Sequence, residues 1–324
     1  MAEPRNAGRS RKVIAAVIAV AMLLVAILVA WRLIDDDSTS RRSTKPPEST
    51  VATRATAPPT PPADPATVTL AATGDLGSST KELMPVARQI DALQPEYVLA
   101  LGDLVYPDGQ VSGFSGFFTE TWGPFLGRVI ATPGNHDYHT PDARGFFDSF
   151  PQAEYFARDL RLNGWRIYVL NCEVDCGEGS AQSKFVADDI AAHPNRHRFA
   201  IVHRPRFTSS QHGDDDDLTE IWTTLAADGG EFMLAGHNHV YERFDSMTGT
   251  GTVSSDGMRQ FVVGTGGNEL YSFDDLHVGE QFRDNEHHGV LWMTLGADDY
   301  SWKFLATDGA TIDAGTQATK QLRG

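Results

Sequence analysis

The stretch EFMLAGHNHVYER, residues 231–243, joins a run of apolar residues to two closely spaced histidines. The apolar run predicts a buried strand, and the glycine after it allows a tight turn. In an extended chain, residues two apart face the same side, so His237 and His239 can address one point or two adjacent points. A single histidine is usually structural, but a pair directly after a buried strand makes metal binding a hypothesis that the other strands can test.

Polar residues also follow four other apolar runs, namely TVTLAAT (67–73), EYVLAL (96–101), RVIAT (128–132) and RFAIV (198–202). Each polar residue alone could be part of an ordinary turn or a helix cap. Because α/β folds place their sites at the C-terminal ends of strands, five such ends predict one shared site. The oxygen and nitrogen donors at these four ends are Asp75, Asp103, Tyr106, Asn135, His136, Asp137 and His203.

The order of the apolar segments predicts a layered α/β domain over residues 67–318, with a large pair of mixed sheets. Strands are predicted at 67–72, 97–101, 128–132, 166–170, 198–202, 231–235, 260–264, 290–295 and 301–306. Helices are predicted where Leu83, Val86, Ile90 and Leu93 follow helical spacing, at 181–192, and at 217–227.

The N-terminal 66 residues of the sequence have a different composition. Residues 1–12 are basic, and residues 13–34 contain an apolar run long enough to cross a membrane, followed by Asp35 to Asp37. This charge asymmetry predicts a cytoplasmic basic tail, a single transmembrane anchor and an extracytoplasmic domain. A cleaved signal peptide, which would make the domain secreted, is the alternative. Residues 35–66, rich in Pro, Thr and Ser, predict a disordered linker.

The chain carries 27 basic and 43 acidic residues, a formal net charge of −16. Such a surface repels phosphate backbones, so nucleic-acid binding through a basic patch is not expected. A site for an anionic substrate therefore needs a local source of positive charge, which bound metal ions would supply.

The two cysteines of the chain, Cys172 and Cys176, lie in the stretch NCEVDCGEGS (171–180). An even number of cysteines in an exported domain predicts a disulfide between them. Free thiols, or soft metal ligands, are the alternatives.

Several motifs together resemble those of the calcineurin-like metallophosphoesterases. These are GDLG (74–77), GDLVY (102–106), GNHD (134–137), the single His203 and GHNH (236–239). Tyr106 and the tail HVYER, with GDLVYPDG, GNHDYHT and FVVGTGG, resemble the compact bacterial purple acid phosphatases. The resemblance implies a layered α/β/β/α sandwich of two mixed sheets flanked by helices.

The resemblance also implies two metal ions. The first would be held by Asp75, Asp103, Tyr106 and His239, and Asp103 would bridge to a second ion held by Asn135, His203 and His237. A tyrosinate suits a small trivalent ion, so Fe³⁺ is expected in the first site and a divalent ion (Zn, Fe, Mn or Mg) in the second. Packing over the loop is the alternative role for Tyr106.

In the resembling family a metal-bound hydroxide attacks the phosphate ester. His136 is expected to contact the phosphoryl oxygens and His212 to donate a proton, although His212 could be an ordinary loop histidine. The aspartates at 214–217 are expected to form a solvated loop and, if close, to favour protonated His212. The residues expected to orient ligands are Asp137, Glu242 and Arg243, the last two with surface pairing as the alternative.

The sequence therefore predicts an exported dinuclear phosphatase that acts on small-molecule phosphate monoesters. A phosphodiesterase or nucleotidase on the same metal core is the nearest alternative. A non-catalytic binding protein on a phosphatase fold is the alternative from another class, and the complete ligand set argues against it. Protein Ser/Thr phosphatases resemble GDxxD, whereas this chain has Tyr106 at the last position.

Overall fold

The computed structural model describes residues 66–161 and 164–322. The predicted basic tail 1–12 and anchor 13–34 lie outside the described residues, as does the linker except for Ala66. None of the helices within the described ranges is long and apolar enough to cross a membrane.

The described residues form thirteen strands. In chain order these are β1 Val68–Thr73, β2 Tyr97–Leu101, β3 Val129–Thr132, β4 Phe156–Asp159, β5 Trp165–Val169, β6 His197–Ile201, β7 Gly230–Ala235, β8 Tyr241–Phe244, β9 Arg259–Val263, β10 Glu280–Asp284, β11 Gly289–Leu295, β12 Asp299–Ala306 and β13 Thr311–Ala318.

These strands form two mixed sheets. The first has six strands in the order β13-β12-β11-β1-β2-β3, in which β1, β2 and β3 are parallel and β11 to β13 are antiparallel additions. The second has seven strands in the order β10-β8-β9-β7-β6-β5-β4, with β5, β6, β7 and β9 parallel. The parallel strands of each sheet deliver their C-terminal ends to one edge, where the polar residues follow.

Helices and helical turns connect the strands. The α-helices are α1 Thr80–Leu93, α2 Val111–Gly113, α3 Thr119–Trp122, α4 Arg144–Ser149, α5 Ala181–Ala192 and α6 Thr219–Ala227. A π-helical turn occupies Phe114–Phe118, and 3-10 turns occupy Gly123–Arg128, Asp137–His139, Pro141–Ala143 and Asp216–Leu218.

Strand alternation builds four layers. Leu70 and Ala72 of β1 face the second sheet, whereas Ala71 between them packs in the helical layer that contains α1. On the other sheet, Ile167 of β5 faces inward and Tyr168 packs toward α5 and α6. Because both faces of these strands are covered, they read as continuous apolar runs. The α/β/β/α sandwich predicted from the sequence is confirmed.

All nine predicted strands and the three predicted helices are present, with strand ends within two residues of the prediction. Four strands, β4, β8, β10 and β13, are not predicted. Three of these are edge strands, whose exposed sides carry polar residues that hide the apolar pattern. The fourth, β8, contains Glu242 and Arg243, whose charges are typical of surface segments but are satisfied here by buried partners.

Candidate metal centre

The ends of β1, β2, β3, β6 and β7 meet at one edge of the sandwich. Asp75 follows β1, Asp103 follows β2 and His203 follows β6. Each of these three buried side chains offers one ligand atom, and the three atoms lie within 4.8 Å of one another. Such a group can hold a metal ion.

Three residues at this edge have the left-handed backbone conformation that non-glycine residues rarely adopt. The φ angles are 60° at Asp75, 51° at Asp103 and 69° at His237. Strain of this kind costs about 1–3 kcal/mol for each residue and is typical of functional sites. The strained turns are held to one another, because the backbone N–H of Asp75 donates to Gly102 O at 3.1 Å.

A first cluster of donors surrounds the Tyr106 hydroxyl. Its oxygen lies 3.1 Å from Asp75 Oδ1, 3.0 Å from Asp103 Oδ2 and 2.9 Å from His239 Nε2. His239 Nδ1 donates to the Glu269 carbonyl oxygen at 2.7 Å, because a carbonyl can only accept. A single phenol proton cannot serve all three neighbours, so this arrangement suits a cation at their centre.

A second cluster surrounds His203 Nε2. This nitrogen lies 3.1 Å from Asn135 Oδ1, 3.2 Å from His237 Nδ1 and 3.3 Å from Asp103 Oδ2. His203 Nδ1 donates to the Leu101 carbonyl oxygen at 2.9 Å, which turns Nε2 toward the cluster. Asp103 Oδ2 belongs to both clusters, so one carboxylate oxygen connects them.

The pKa values of Asp103, His203 and His237 depend on one another and on burial. Burial opposes ionisation of Asp103, but the charge and hydrogen bond of His203 outweigh it and hold the Asp103 pKa well below its usual range. Burial likewise opposes protonation of His203, yet Asp103 raises the pKa of His203 to about 10. Burial, with the positive charge of His203 beside it, lowers the pKa of His237 to about 2. A metal ion binding here would displace the proton that His203 holds.

Tyr106 is held in its protonated form by the same surroundings. Burial, followed by the charges of Asp75 and Asp103, raises the pKa of Tyr106 far above its usual range. Two carboxylates, a phenol, an amide oxygen and imidazoles form a donor set for hard and intermediate metal ions. The residues present therefore fit metal ions at this position.

Asp137 holds the turns after β2 and β3 together. It is fully buried and accepts from the backbone N–H of Gly134 at 3.0 Å and of Leu104 at 3.3 Å. Burial, reinforced by the nearby Asp103, raises the pKa of Asp137 to about 8. Its position, behind the ligand-bearing turns, suits the predicted role of orienting them.

Both predicted catalytic histidines lie beside the clusters. The backbone N–H of His136 donates to Asp103 Oδ1 at 2.8 Å, and its ring packs on Tyr106 with centroids 4.4 Å apart. His136 Nδ1 donates to the Pro107 carbonyl oxygen at 2.6 Å, which leaves Nε2 for a substrate. The His212 ring stacks on that of His237 with centroids 4.5 Å apart.

The aspartates after His212 do not have the expected effect on it. Asp214 accepts from the Thr208 N–H and pairs with His277, and Asp216 pairs with Arg206. Burial, with His239 next in importance, lowers the pKa of His212. The expectation that these aspartates favour protonated His212 was therefore wrong, because burial dominates the His212 pKa and both Asp214 and Asp216 pair with other side chains.

Glu242 and Arg243 have other contacts than expected. Glu242 accepts from Thr208 Oγ1 and from Ser209 N, both at 2.6 Å, and so anchors the loop that leads to His212. Arg243 Nε donates to Asp313 on β13 at 2.7 Å. Within the described chain, neither side chain forms a hydrogen bond or an ion pair with a predicted metal ligand. Successive strand residues face opposite ways, which directs the two side chains to different surroundings.

Tyr271, which sequence reasoning missed, stacks on a predicted ligand. Its ring is nearly parallel to that of His239, with centroids 4.0 Å apart and an interplanar angle of 15°. Tyr271 lies in the stretch between β9 and β10, and its backbone N–H donates to the His239 carbonyl oxygen at 2.9 Å. A lone tyrosine in a loop gives no sequence signal for this contact.

The second pair that the sequence did not reveal is Glu173 with Arg204. Arg204 Nε donates to Glu173 Oε1 at 2.7 Å, and Arg204 Nη2 donates to Glu173 Oε2 at 3.0 Å. The signal was their position, because Arg204 directly follows His203 and Glu173 directly follows Cys172. Cys172 and Cys176 form the predicted disulfide, with Cα atoms 5.2 Å apart.

A model of the calcineurin-like phosphoesterase family matches residues 68–241, more than half of the chain. The matched range begins at β1 and contains all the predicted metal ligands. No curated protein matches the chain by sequence.

Several solved structures share the fold. Purple acid phosphatase PPD1 from yellow lupin (Lupinus luteus) seeds matches with a TM-score of 0.66 and 18% identity, over 77% of this chain and 53% of the lupin chain. GAP50, the anchor in the inner membrane complex of Plasmodium, matches with a TM-score of 0.66 and 12% identity, over 80% and 90% of the chains. PhoD matches with a TM-score of 0.55 and 10% identity, over 78% and 68%. This chain spans about half of the lupin enzyme.

Proposed function

Since the chain belongs to the calcineurin-like phosphoesterase family, we propose that it is an exported dinuclear metal-dependent phosphatase that hydrolyses phosphate monoesters. The observation that carries the proposal is the pair of donor clusters joined by Asp103 Oδ2. Tyr106, Asp75 and His239 would complete one site, while the second would be held by the donors Asn135, His203 and His237. When bound, two such ions lower the pKa of water and neutralise charge on the phosphoryl group.

The remaining side chains would handle the substrate. His136 would contact phosphoryl oxygens through Nε2, because its Nδ1 is engaged by Pro107. His212, exposed and stacked on His237, would donate a proton to the leaving oxygen. Asp137 and Glu242 would keep the ligand-bearing turns and the His212 loop in place.

The first site is proposed to hold Fe³⁺, and the second a divalent ion. Support comes from Tyr106, whose oxygen is within 3.1 Å of both carboxylates and whose proton a trivalent ion would displace. Iron-loaded protein should show a broad visible absorption band from tyrosinate-to-iron charge transfer, absent from Tyr106→Phe. An active, iron-replete enzyme without this band would defeat the iron assignment and leave the phosphatase proposal intact.

The experiment that tests the activity is a turnover assay of purified domain, residues 67–318, after metal analysis. The panel contains an aryl phosphate, an aryl phosphodiester and a nucleotide. Monoester turnover well above diester turnover supports the proposal. Preference for the diester or the nucleotide would identify a phosphodiesterase or nucleotidase, and metal-replete protein without turnover would identify a binding protein.

Export and membrane attachment form a separate part of the proposal. They rest on the sequence of residues 13–34, which contains an apolar run between basic and acidic flanks. Protease added outside intact cells should remove the domain, and fractionation should place the full chain in the membrane. A mature N-terminus recovered from the medium near residue 31 would indicate a cleaved signal peptide.

A further inference from the structure

A cavity of about 350 Å³ opens beside the candidate metal centre. His237 and His212 line it on the side of the centre, and Glu173 and Arg204 line it as well. This volume suits a small organic group. A phosphate ester held at the centre would place its leaving group here, because His212 is the proposed proton donor to that group.

The lining of this cavity is rich in carboxylates. Arg204 is the one arginine or lysine among the lining residues, and four acidic residues line the same cavity, namely Glu173, Asp214, Asp215 and Asp217. A leaving group therefore meets the charge of Arg204 only if that charge is free to interact with it.

The carboxylate of Glu173 forms an ion pair with the guanidinium of Arg204. Two parallel hydrogen bonds, of 2.7 and 3.0 Å, join the guanidinium to the two carboxylate oxygens. The Glu173 side chain is 9% exposed and that of Arg204 is 34% exposed, so the pair is partly shielded from solvent. A fork-to-fork pair of this kind is stronger and more directional than a single contact.

The backbone around Glu173 is fixed from several sides. The N–H of Glu173 donates to Asn171 Oδ1 at 3.0 Å, and the N–H of Asn171 donates to the buried Gln182 at 2.8 Å. The disulfide between Cys172 and Cys176 closes a short loop that contains Glu173. Glu173 therefore has little freedom to leave Arg204 when a ligand arrives.

We propose that Glu173 determines the charge selectivity of the enzyme, by neutralising Arg204 so that this guanidinium cannot bind an anionic leaving group. This inference rests on the proposed phosphatase function. The favoured substrates are phosphate monoesters of small polar alcohols that are uncharged or cationic, and esters with an anionic leaving group are rejected. A carboxylate on the leaving group would meet the like charges of the lining aspartates and be repelled.

The test uses three ethyl phosphates that end in an ammonium, a hydroxyl or a carboxylate group. Wild-type enzyme should have its lowest kcat/KM on the carboxylate ester. In Glu173→Gln the amide still contacts Arg204 but no longer neutralises it, so the carboxylate-to-hydroxyl ratio of kcat/KM should rise about tenfold. In Arg204→Gln the same ratio should fall, because Glu173 then faces the cavity unpaired.

Two further measurements separate selectivity from a general structural effect. The double variant Glu173→Gln/Arg204→Gln should lose the gain seen in Glu173→Gln, which a double-mutant cycle quantifies. The corresponding non-hydrolysable phosphonates should show the same order of dissociation constants by calorimetry. Glu178→Gln, an exposed carboxylate of the same loop outside this cavity, is the matched control and should leave the ratio unchanged.

The outcomes are distinguishable. Unchanged ratios in both Glu173→Gln and Arg204→Gln, or a wild-type preference for the carboxylate ester, would overturn the selectivity proposal while leaving the phosphatase function standing. If Glu173→Gln fails to fold, Arg204→Gln with its opposite predicted sign decides the question. Metal-replete wild type that hydrolyses no monoester would overturn the phosphatase function, and this inference with it.

Discussion

The two sheets contribute different chemistry to the candidate metal centre. The six-stranded sheet supplies oxygen donors, because Asp75, Asp103, Tyr106 and Asn135 follow β1, β2 and β3. The seven-stranded sheet supplies nitrogen donors, the histidines that follow β6 and β7. Each donor cluster contains atoms from both sheets, so neither sheet alone could complete a site.

The two sheets differ in the charge of their donors as well as in the donor atom. The buried carboxylates lie on the oxygen side. On the nitrogen side, Asp103 raises the pKa of His203 to about 10 against the opposing effect of burial, which favours a proton on this histidine. Bound cations would replace that proton. They would also connect the two sheets at the edge where turns from both sheets have a strained backbone. Metal binding should therefore stabilise the fold as well as permit the chemistry.

The strongest test of the oxygen side is Asp103→Asn, because this carboxylate belongs to both clusters. The variant should lose both metal ions, and kcat/KM should fall by on the order of a thousandfold, the scale for losing a principal charge interaction of the transition state. Metal analysis and aryl phosphate turnover measure the two effects. Asp188→Asn, on the exposed surface of α5, is the control and should match wild type.

The nitrogen side should respond differently to a comparable change. His237→Ala removes a donor from the second cluster only, so it should lose one ion and keep the other. If Asp103→Asn retained two metals, or His237→Ala lost both, the shared position of Asp103 would have no functional meaning.

Removing the metals tests whether they connect the sheets. With free metal at about a thousand times its dissociation constant, binding should add about 4 kcal/mol to the free energy of unfolding. Denaturant unfolding with metal and with a chelator measures the difference, which should vanish in Asp103→Asn. Identical stability of wild-type protein under both conditions would show that the sheets are held by their apolar core alone.

His212→Ala should affect the chemistry without affecting the metals. For esters of weakly acidic alcohols, kcat should fall by about a hundredfold, because a proton donor to the leaving oxygen is lost. An activated aryl ester, whose leaving group needs no proton, should lose much less. Equal losses on the two esters, with two metals still bound, would remove His212 from the proton-donor role.

The smallest effect on catalytic activity is expected at Glu242, which anchors the His212 loop. Burial raises the pKa of Glu242 from 4.5 to about 8, so the folded protein keeps a proton that the unfolded chain releases. The stability from this group is full below about pH 4.5 and is lost as the pH rises toward 8. Glu242→Gln should flatten this dependence, which denaturant unfolding between about pH 4.5 and pH 8 measures. An equally steep wild-type and variant profile would contradict the assignment.

The parallel strands and the polar residues that follow them could be predicted from the sequence because both are local signals. A strand buried on both faces must be an apolar run, and a polar residue directly after such a run is visible in the chain. Edge strands such as β10 and β13 lack this signal, since one side of each faces solvent. Strand β8, which contains Glu242 and Arg243, was not predicted for a related reason, because charged residues are normally exposed.

Sequence by itself determined which residues stand at the strand ends and hence the class of chemistry, since strand periodicity acts over a few residues. Only the tertiary structure decided which atoms meet. Tyr106 and His239 are 133 residues apart in the chain, and their contact depends on how two sheets pack. The same holds for Tyr271 on His239 and for Glu173 on Arg204, because contacts between distant segments follow from packing, which no local pattern records.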